Sequence, residues 1–513
     1  MRQLLTDRYR ERLSGVLSCY DRIIVTGTLP GVCHAKGMTA FLWAQGVRIF
    51  DYPRFAEPLR DRIRARAAEL ASAAGVTIEH IAKRHIRKED IVAKVLAGRG
   101  DHPGLVHIIS AMEACDSYKP WHDKRTHHSF LRPDSGKCLH YYFYFIDAQL
   151  GLIYLRVPTW CPFRLQFYCN GHGWLARQLT AAGIGFTLVD NAFLRIDDWQ
   201  RAQTLADHLS PAGLHHILDR YAQQCCPVLD VFPHVYHWSF MQVEYATDLV
   251  FRSQTTLKPL YEQLSRQAIL TVKAEHVATF LGHKITPQLA QEIGSQFATR
   301  IEGTCVKHRF GKSSIKIYDK FGLVLRIETT TNDVSAFKHY RKVEHQHRPA
   351  TYGLAPLKKN IYSLNDLREI LRGCNRRYLE YLSSLDDFSL GSEPSTASPN
   401  RVPSTAAMSE GSISSAASSR PCSRPCSCPP STSPASAALI SCRCSASARP
   451  LPSPDNSPAC ADCTSSNASL ALTGTTSPVP DEPRSPPAAA LPNTPSSQLS
   501  PDESAHLMQT LSS

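Results

Sequence analysis

The last quarter of this 513-residue chain lacks lysine and every aromatic residue. From Leu390 to Ser513 there is no Phe, Tyr, Trp or Lys, while 20 of the 35 prolines fall there among long Ser and Ala runs. Such a segment cannot bury enough apolar surface to offset the entropy of ordering it, so a disordered tail is expected over 390–513. The same bias is also what GC-rich DNA yields when translated out of frame. No stretch approaches the roughly 20 continuous apolar residues of a membrane helix, which argues against a membrane partner. The N-terminus lacks the apolar run of a signal peptide, and the ten cysteines before Leu390 show no metal-ligand spacing. A cytoplasmic protein with reduced thiols is therefore expected. The tail pairs Cys442/Cys444 and Cys460/Cys463 have no second pair at zinc-finger spacing.

Charge is distributed unevenly. The tail carries six Arg against eight acids, a net of −2, which leaves +14 on the first 389 residues. A basic excess of that size fits a partner such as nucleic acid or an anionic surface better than it fits an acidic, freely soluble metabolic enzyme.

The spacing predicts an α+β fold with a helical N-terminal part over 1–126, where helices are expected at Met38–Val47, Arg54–Ala74, Lys88–Leu96 and Gly104–Cys115 around one strand at Arg22–Leu29. A mixed α/β region follows over 127–226. Its hairpin, His140–Asp147 with Leu152–Val157, places Tyr142 and Tyr144 on one face, where they either join the core or stack on single-stranded bases. Asn170 is expected to cap a helix, with His172 and Trp174 in its first turn, where an anion is also welcome. Residues 227–389 read as helices, a basic β-hairpin and a last amphipathic helix at Ser363–Leu385. His237–Phe251 is read as a helix here, with Glu244 and Asp248 four apart on one face. Together with Glu328 they form a candidate carboxylate set for Mg²⁺. A further helix is expected at Gln288–Phe297.

The hairpin is the most chemically dense stretch. Ile315–Tyr318 and Leu323–Ile327 alternate with period two, and a loop of Lys320, Phe321 and Gly322 would set Ile317 opposite Leu325 and Lys316 opposite Arg326. One face is then apolar and the other carries Lys316, Tyr318, Arg326 and Glu328. An apposed Lys–Arg pair invites an anion between them. With Lys307, Arg309, Lys312, Lys320, Lys338 and Arg341 nearby, nucleic acid, DNA above all, is the expected partner, and a solvated basic surface is the bland alternative.

Thr159–Trp174, Trp238–Phe251 and Lys307–Thr330 together resemble a widespread bacterial protein family, often labelled MarR-type transcriptional regulators, for which no activity is established. The resemblance spans most of residues 1 to 386. Members continue beyond the last helix into a further folded region, which this chain replaces with its Ser/Pro tail. Ile317-Tyr318-Asp319-Lys320 with Arg326-Ile327-Glu328 is similar to a paired-strand signature of rolling-circle replication initiators, which nick DNA with a tyrosine and a bound metal. The His-apolar-His ligand pair of many such enzymes is missing here. That likeness implies Tyr318 and Glu328 as catalytic candidates and Lys320 as a phosphate contact, in a DNA-nicking or replication-initiating enzyme of the kind mobile or plasmid-like elements encode. A non-enzymatic DNA-binding regulator and a single-stranded RNA-binding protein are the competing expectations.

Overall fold

A computed structural model describes residues 4–386 apart from 84, 233–234, 284–295 and 346–347. The tail and its cysteines lie outside the described residues, as does the helix expected at Gln288–Phe297 except for its last two positions.

Alternating, β-branched and aromatic sequence builds one large sheet. Its strands are β1 (Leu13–Thr28), β2 (Ile78–Ile81), β3 (Gly104–Asp123), β4 (His128–Asp147), β5 (Gly151–Pro158), β6 (Leu165–Asn170), β9 (His237–Phe251), β10 (Phe297–Glu302), β11 (Cys305–Phe310), β12 (Ser313–Lys320) and β13 (Val324–Thr331). They lie in the order β10-β11-β12-β13-β9-β1-β6-β5-β4-β3-β2. All pairings are antiparallel except β2 with β3. Two ribbons stand apart from it: β7 (Phe186–Val189) with β8 (Ala192–Ile196), and β14 (Lys338–Val343) with β15 (Thr351–Pro356). The helices are α1 (Leu5–Arg8), α2 (Ala35–Ala44), α3 (Tyr52–Ala73), α4 (Lys88–Arg99), α5 (Gly171–Ala181), α6 (Trp199–Ala206), α7 (Pro211–Cys225), α8 (Gln254–Thr271), α9 (Ala274–Phe280) and α10 (Leu364–Asp386). The protein is α+β, and the stretches read separately as 1–126, 127–226 and 227–389 all contribute strands to the same sheet.

Two expected helices are strands. In Gly104–Cys115 the apolar residues run consecutively, and Val106, Ile108 and Ile109 are all fully buried. That is the pattern of a strand covered on both faces, and β-branched side chains favour it over a helix. In His237–Phe251 the residues Val243, Tyr245 and Leu249 alternate into the core with Glu244 and Asp248 between them. Residues four apart share a face in a strand as they do in a helix, but at about 3.3 Å per residue they stand roughly 13 Å apart, too far to share one ion.

The hairpin β12–β13 keeps the expected faces but slides by two residues along β13. Phe321 (φ 57°) and Gly322 (φ 68°) both adopt left-handed backbone, so the loop is Phe321-Gly322-Leu323 and Lys320 pairs with Val324. Lys316 consequently faces Glu328, Tyr318 faces Arg326 and Ile317 faces Ile327. The like-charge pair is replaced by an opposite-charge one, which a sheet favours.

Helices α8 and α10 pack on the apolar face of β9, β12 and β13, and α9 packs on β11 beside them. There the Asn375 amide donates to the Tyr245 and Ile327 carbonyls, and Thr329 donates to Asn375. On the opposite face, α4 covers β3 and β4, while α5, α6 and the β7–β8 ribbon cover the Leu13 end of β1. Between these covers lies the candidate site.

Candidate functional site

The site is organised by a β-bulge. Tyr20 pairs with Tyr245 and Arg22 with Glu244, so Asp21 is an extra residue on β1, re-aimed out of the ladder. The start of α5 meets it. Asn170 is the N-cap, accepting from the Gly173 amide at 3.0 Å, as its sequence predicts, and it also donates to Asp21 at 3.3 Å. Gly171 sits so close to β1 that a Cβ there would lie 2.1 Å from the Tyr20 carbonyl oxygen, and this close approach brings His172 Nδ1 to 3.1 Å from Asp21 Oδ1. Asn191, in the turn between β7 and β8, donates to the same oxygen at 2.6 Å. Trp174 is buried in the core and takes no part.

Three carboxylates from neighbouring strands converge: Asp21 on β1, Glu244 on β9 and Glu328 on β13 each offer an oxygen within 4.8 Å of the others. No other His/Cys/Asp/Glu trio among the described residues brings its donor atoms together in this way. Asp248 does not belong to the trio. Arg326 takes it in a two-pronged ion pair, Nε to Oδ1 at 2.6 Å and Nη2 to Oδ2 at 2.7 Å, and also donates to the Asn191 carbonyl at 2.6 Å. Arg326 Nη1 makes no hydrogen bond among the described residues and stands 3.6 Å from Asp21 Oδ2. Glu328 accepts from Lys316 Nζ at 2.6 Å and from the Tyr318 hydroxyl at 2.5 Å. Glu244 lies 3.6 Å from Arg22 Nε and 3.9 Å from Lys316 Nζ.

Burial sets the proton affinities. Desolvation pushes Glu244 up to about 7, reinforced by the neighbouring Glu328 charge and opposed by Lys316 and Arg22. Asp21 also meets a desolvation cost, but the adjoining His172 imidazole and the Arg326 charge hold it well below the usual carboxylate range. Glu328 is held low against burial by Lys316. Burial, then the Glu328 charge, drives the Tyr318 phenol well above 10.

Several expectations are corrected by this geometry. Lys316 and Arg326 are buried inside ion pairs, so they do not meet a polyanion in solvent. Tyr318 is buried, protonated and bonded to Glu328; it positions that carboxylate and does not present a nucleophile. Tyr142 and Tyr144 share a face as expected, but α4 covers them with Val92 and Val95, and the Tyr142 hydroxyl donates to Glu113 at 2.8 Å. They are core residues. Lys320 is tied to Asp190 at 2.9 Å and Lys312 to Asp333 at 3.0 Å. Arg341 donates to the Pro356 carbonyl at 3.1 Å, while Lys338 is exposed on β14.

Other polar groups do share the face of the trio. Lys307 pairs across from Lys316, and Arg300 from Lys307; with Arg309 they line its β10–β11 margin, and both arginines are exposed. On the other side come Arg22, then Tyr168 and Tyr154, half-buried rings stacked at 5.1 Å and 10°. Arg22 keeps 42% of its side chain exposed, so solvent reaches the edge of the trio beside Glu244. Beyond them a cavity of about 750 Å³ is lined by Thr26, Arg156, Arg164, Gln166 and Lys359 among others.

No protein-family model matches the chain, and no curated protein or solved structure is detectably similar to it.

Proposed function

We propose that the protein is a divalent-cation-dependent enzyme that breaks or transfers phosphodiester bonds in DNA, with the ion held by Asp21, Glu244 and Glu328. The observation that carries this reading is the convergence of those three oxygens within 4.8 Å. Three hard oxygen donors suit Mg²⁺ or Mn²⁺. Burial and the Glu328 charge hold Glu244 near 7 in spite of Arg22 and Lys316, so an added cation between the carboxylates would favour its ionised form. A bound Mg²⁺ would neutralise charge on a phosphodiester oxygen and make a water molecule acidic enough to attack it.

The residues of the chain have separable tasks. Arg326 and Asn191 fix Asp248 and Asp21, so the trio is oriented by groups that are themselves held. Tyr318 and Lys316 orient Glu328, and Lys316 balances its charge in the ion-free protein. Arg300, Lys307 and Arg309 on one side and Arg22 on the other offer cations to a phosphate backbone crossing the face. Tyr154 and Tyr168 offer stacking surface beside it. The nucleophile is water or a strand hydroxyl, since Tyr318 is enclosed and keeps its proton.

End-labelled single-stranded and supercoiled DNA incubated with the protein tests the reading. Nicks or joined products that need Mg²⁺ or Mn²⁺ and vanish in Glu328→Gln are expected. Tight sequence-specific duplex binding with no cleavage in any divalent ion would replace the enzyme with a regulator.

A further inference from the structure

We propose that the β14–β15 ribbon is a second contact for nucleic acid, taking unstacked bases of a single strand on its aromatic face; this rests on the reading of the protein as a nucleic-acid enzyme. Register sets Tyr340 opposite Leu354, Lys342 opposite Tyr352 and Lys338 opposite Pro356, so these six residues share one side. That side is bare. Tyr340, Tyr352 and Leu354 keep 71%, 68% and 62% of their surface exposed, a concentration of large apolar groups that a chain seldom leaves in water without a partner. The two tyrosine rings lie 24° from parallel with centroids 6.2 Å apart, so each keeps an open π-face.

The opposite side anchors the ribbon. Phe337, Ala355 and Leu357 are buried at its base, where the Leu357 amide donates to the Phe337 carbonyl at 2.8 Å, and His339 lies 3.8 Å from Asp366 on α10. A two-stranded ribbon has little stability alone, so a seated base and a free tip face suit presentation of the free face.

Charge selects the occupant. Among the six residues of the exposed side Lys338 and Lys342 stand beside the aromatics and none is acidic, Glu344 coming only past the end of β14, which suits a polyanion whose bases can stack better than an apolar protein surface. Position agrees with this. Asn332, just before the ribbon, and Lys359, just after it, both line the cavity beyond Tyr154 and Tyr168, so the ribbon rises from the rim of the face that carries the trio.

The test uses the full chain and fluorescence anisotropy in EDTA, with a labelled 20-nucleotide strand and the matching duplex. Tyr340→Ala/Tyr352→Ala is expected to weaken single-strand binding at least tenfold and duplex binding less, with an unchanged circular dichroism melt because both rings are exposed. Lys338→Ala/Lys342→Ala is expected to weaken both ligands and to lower the salt slope by about 1.4 on the single strand and about 1.8 on the duplex. Single-strand affinity within twofold of the parent in the tyrosine variant overturns the ribbon. So does a parent dimer that becomes monomeric in that variant with DNA binding unchanged, which would make the face a self-association surface. Glu328→Gln separates the two readings: it should bind the strand normally and fail to cleave, so a parent that binds through the ribbon but never cleaves sinks the enzyme alone.

Discussion

Replacing Arg326 by methionine removes the guanidinium that satisfies Asp248 and faces Asp21, and leaves both carboxylates inside the protein. Arg326 is fully buried, and Asp248 accepts two charge-assisted bonds from it at 2.6 and 2.7 Å. Breaking one side of such a pair costs about 3–5 kcal/mol, because the remaining charge has neither water nor partner. Removing both sides costs far less. Asp248→Asn/Arg326→Met should therefore recover much of the loss, to within about 2 kcal/mol of the parent. Asp248 is held below the usual carboxylate range in the parent, where Arg326 works against burial. Without Arg326 its value rises above that of the unfolded chain, so the single variant binds the extra proton when folded and its deficit shrinks as pH falls from 8 to 5. Urea unfolding followed by tryptophan fluorescence at both pH values reads all three quantities. A loss under about 1 kcal/mol for Arg326→Met, or a double variant no better than the single one, would refute a buried network held together by this arginine.

Glu244 titrates near 7, above its unfolded value, so the stability it contributes is complete below the ordinary carboxylate range and is lost as pH rises through about 7. Between pH 6 and 8 that amounts to about 1 kcal/mol of falling stability in the metal-free protein, which Glu244→Gln should abolish in the same urea assay. Tyr318→Phe should leave Mg²⁺-dependent cleavage within about tenfold, whereas a true tyrosine nucleophile would lose three orders of magnitude or more and leave no covalent adduct. Asn170→Ala removes a helix cap and a bond to Asp21 and should lower stability by roughly 1–2 kcal/mol in thermal melts.

Local chemistry was legible in the sequence where it stayed local. Period two marked Ile315–Ile327 as paired strands and put Lys316, Tyr318, Arg326 and Glu328 together on one face, and Asn170 announced its helix. The register slipped because Phe321, not only Gly322, takes left-handed backbone, a choice that the tertiary setting makes. Glu244 and Asp248 suggested a helix because a spacing of four is shared by both periodicities. Asp21 gives only a faint signal, an aspartate directly before the apolar β run that starts at Arg22, and it is the bulge that aims it at Glu244 and Glu328. The roles of Lys316 and Arg326 were illegible for a different reason. A basic residue looks the same whether it meets solvent or a partner such as Asp248, 78 positions away, and α4 over Tyr142 and Tyr144 is a similar long-range fact.

Titrating Mn²⁺ into the protein while following the free-ion electron paramagnetic resonance signal tests the trio directly. One ion bound per chain, weakened about tenfold from pH 8 to pH 6 as Glu244 takes up its proton, and lost in Asp21→Asn and Glu328→Gln, is the expected result. Unbound Mn²⁺ at millimolar concentration, or binding that both variants leave intact, would contradict it.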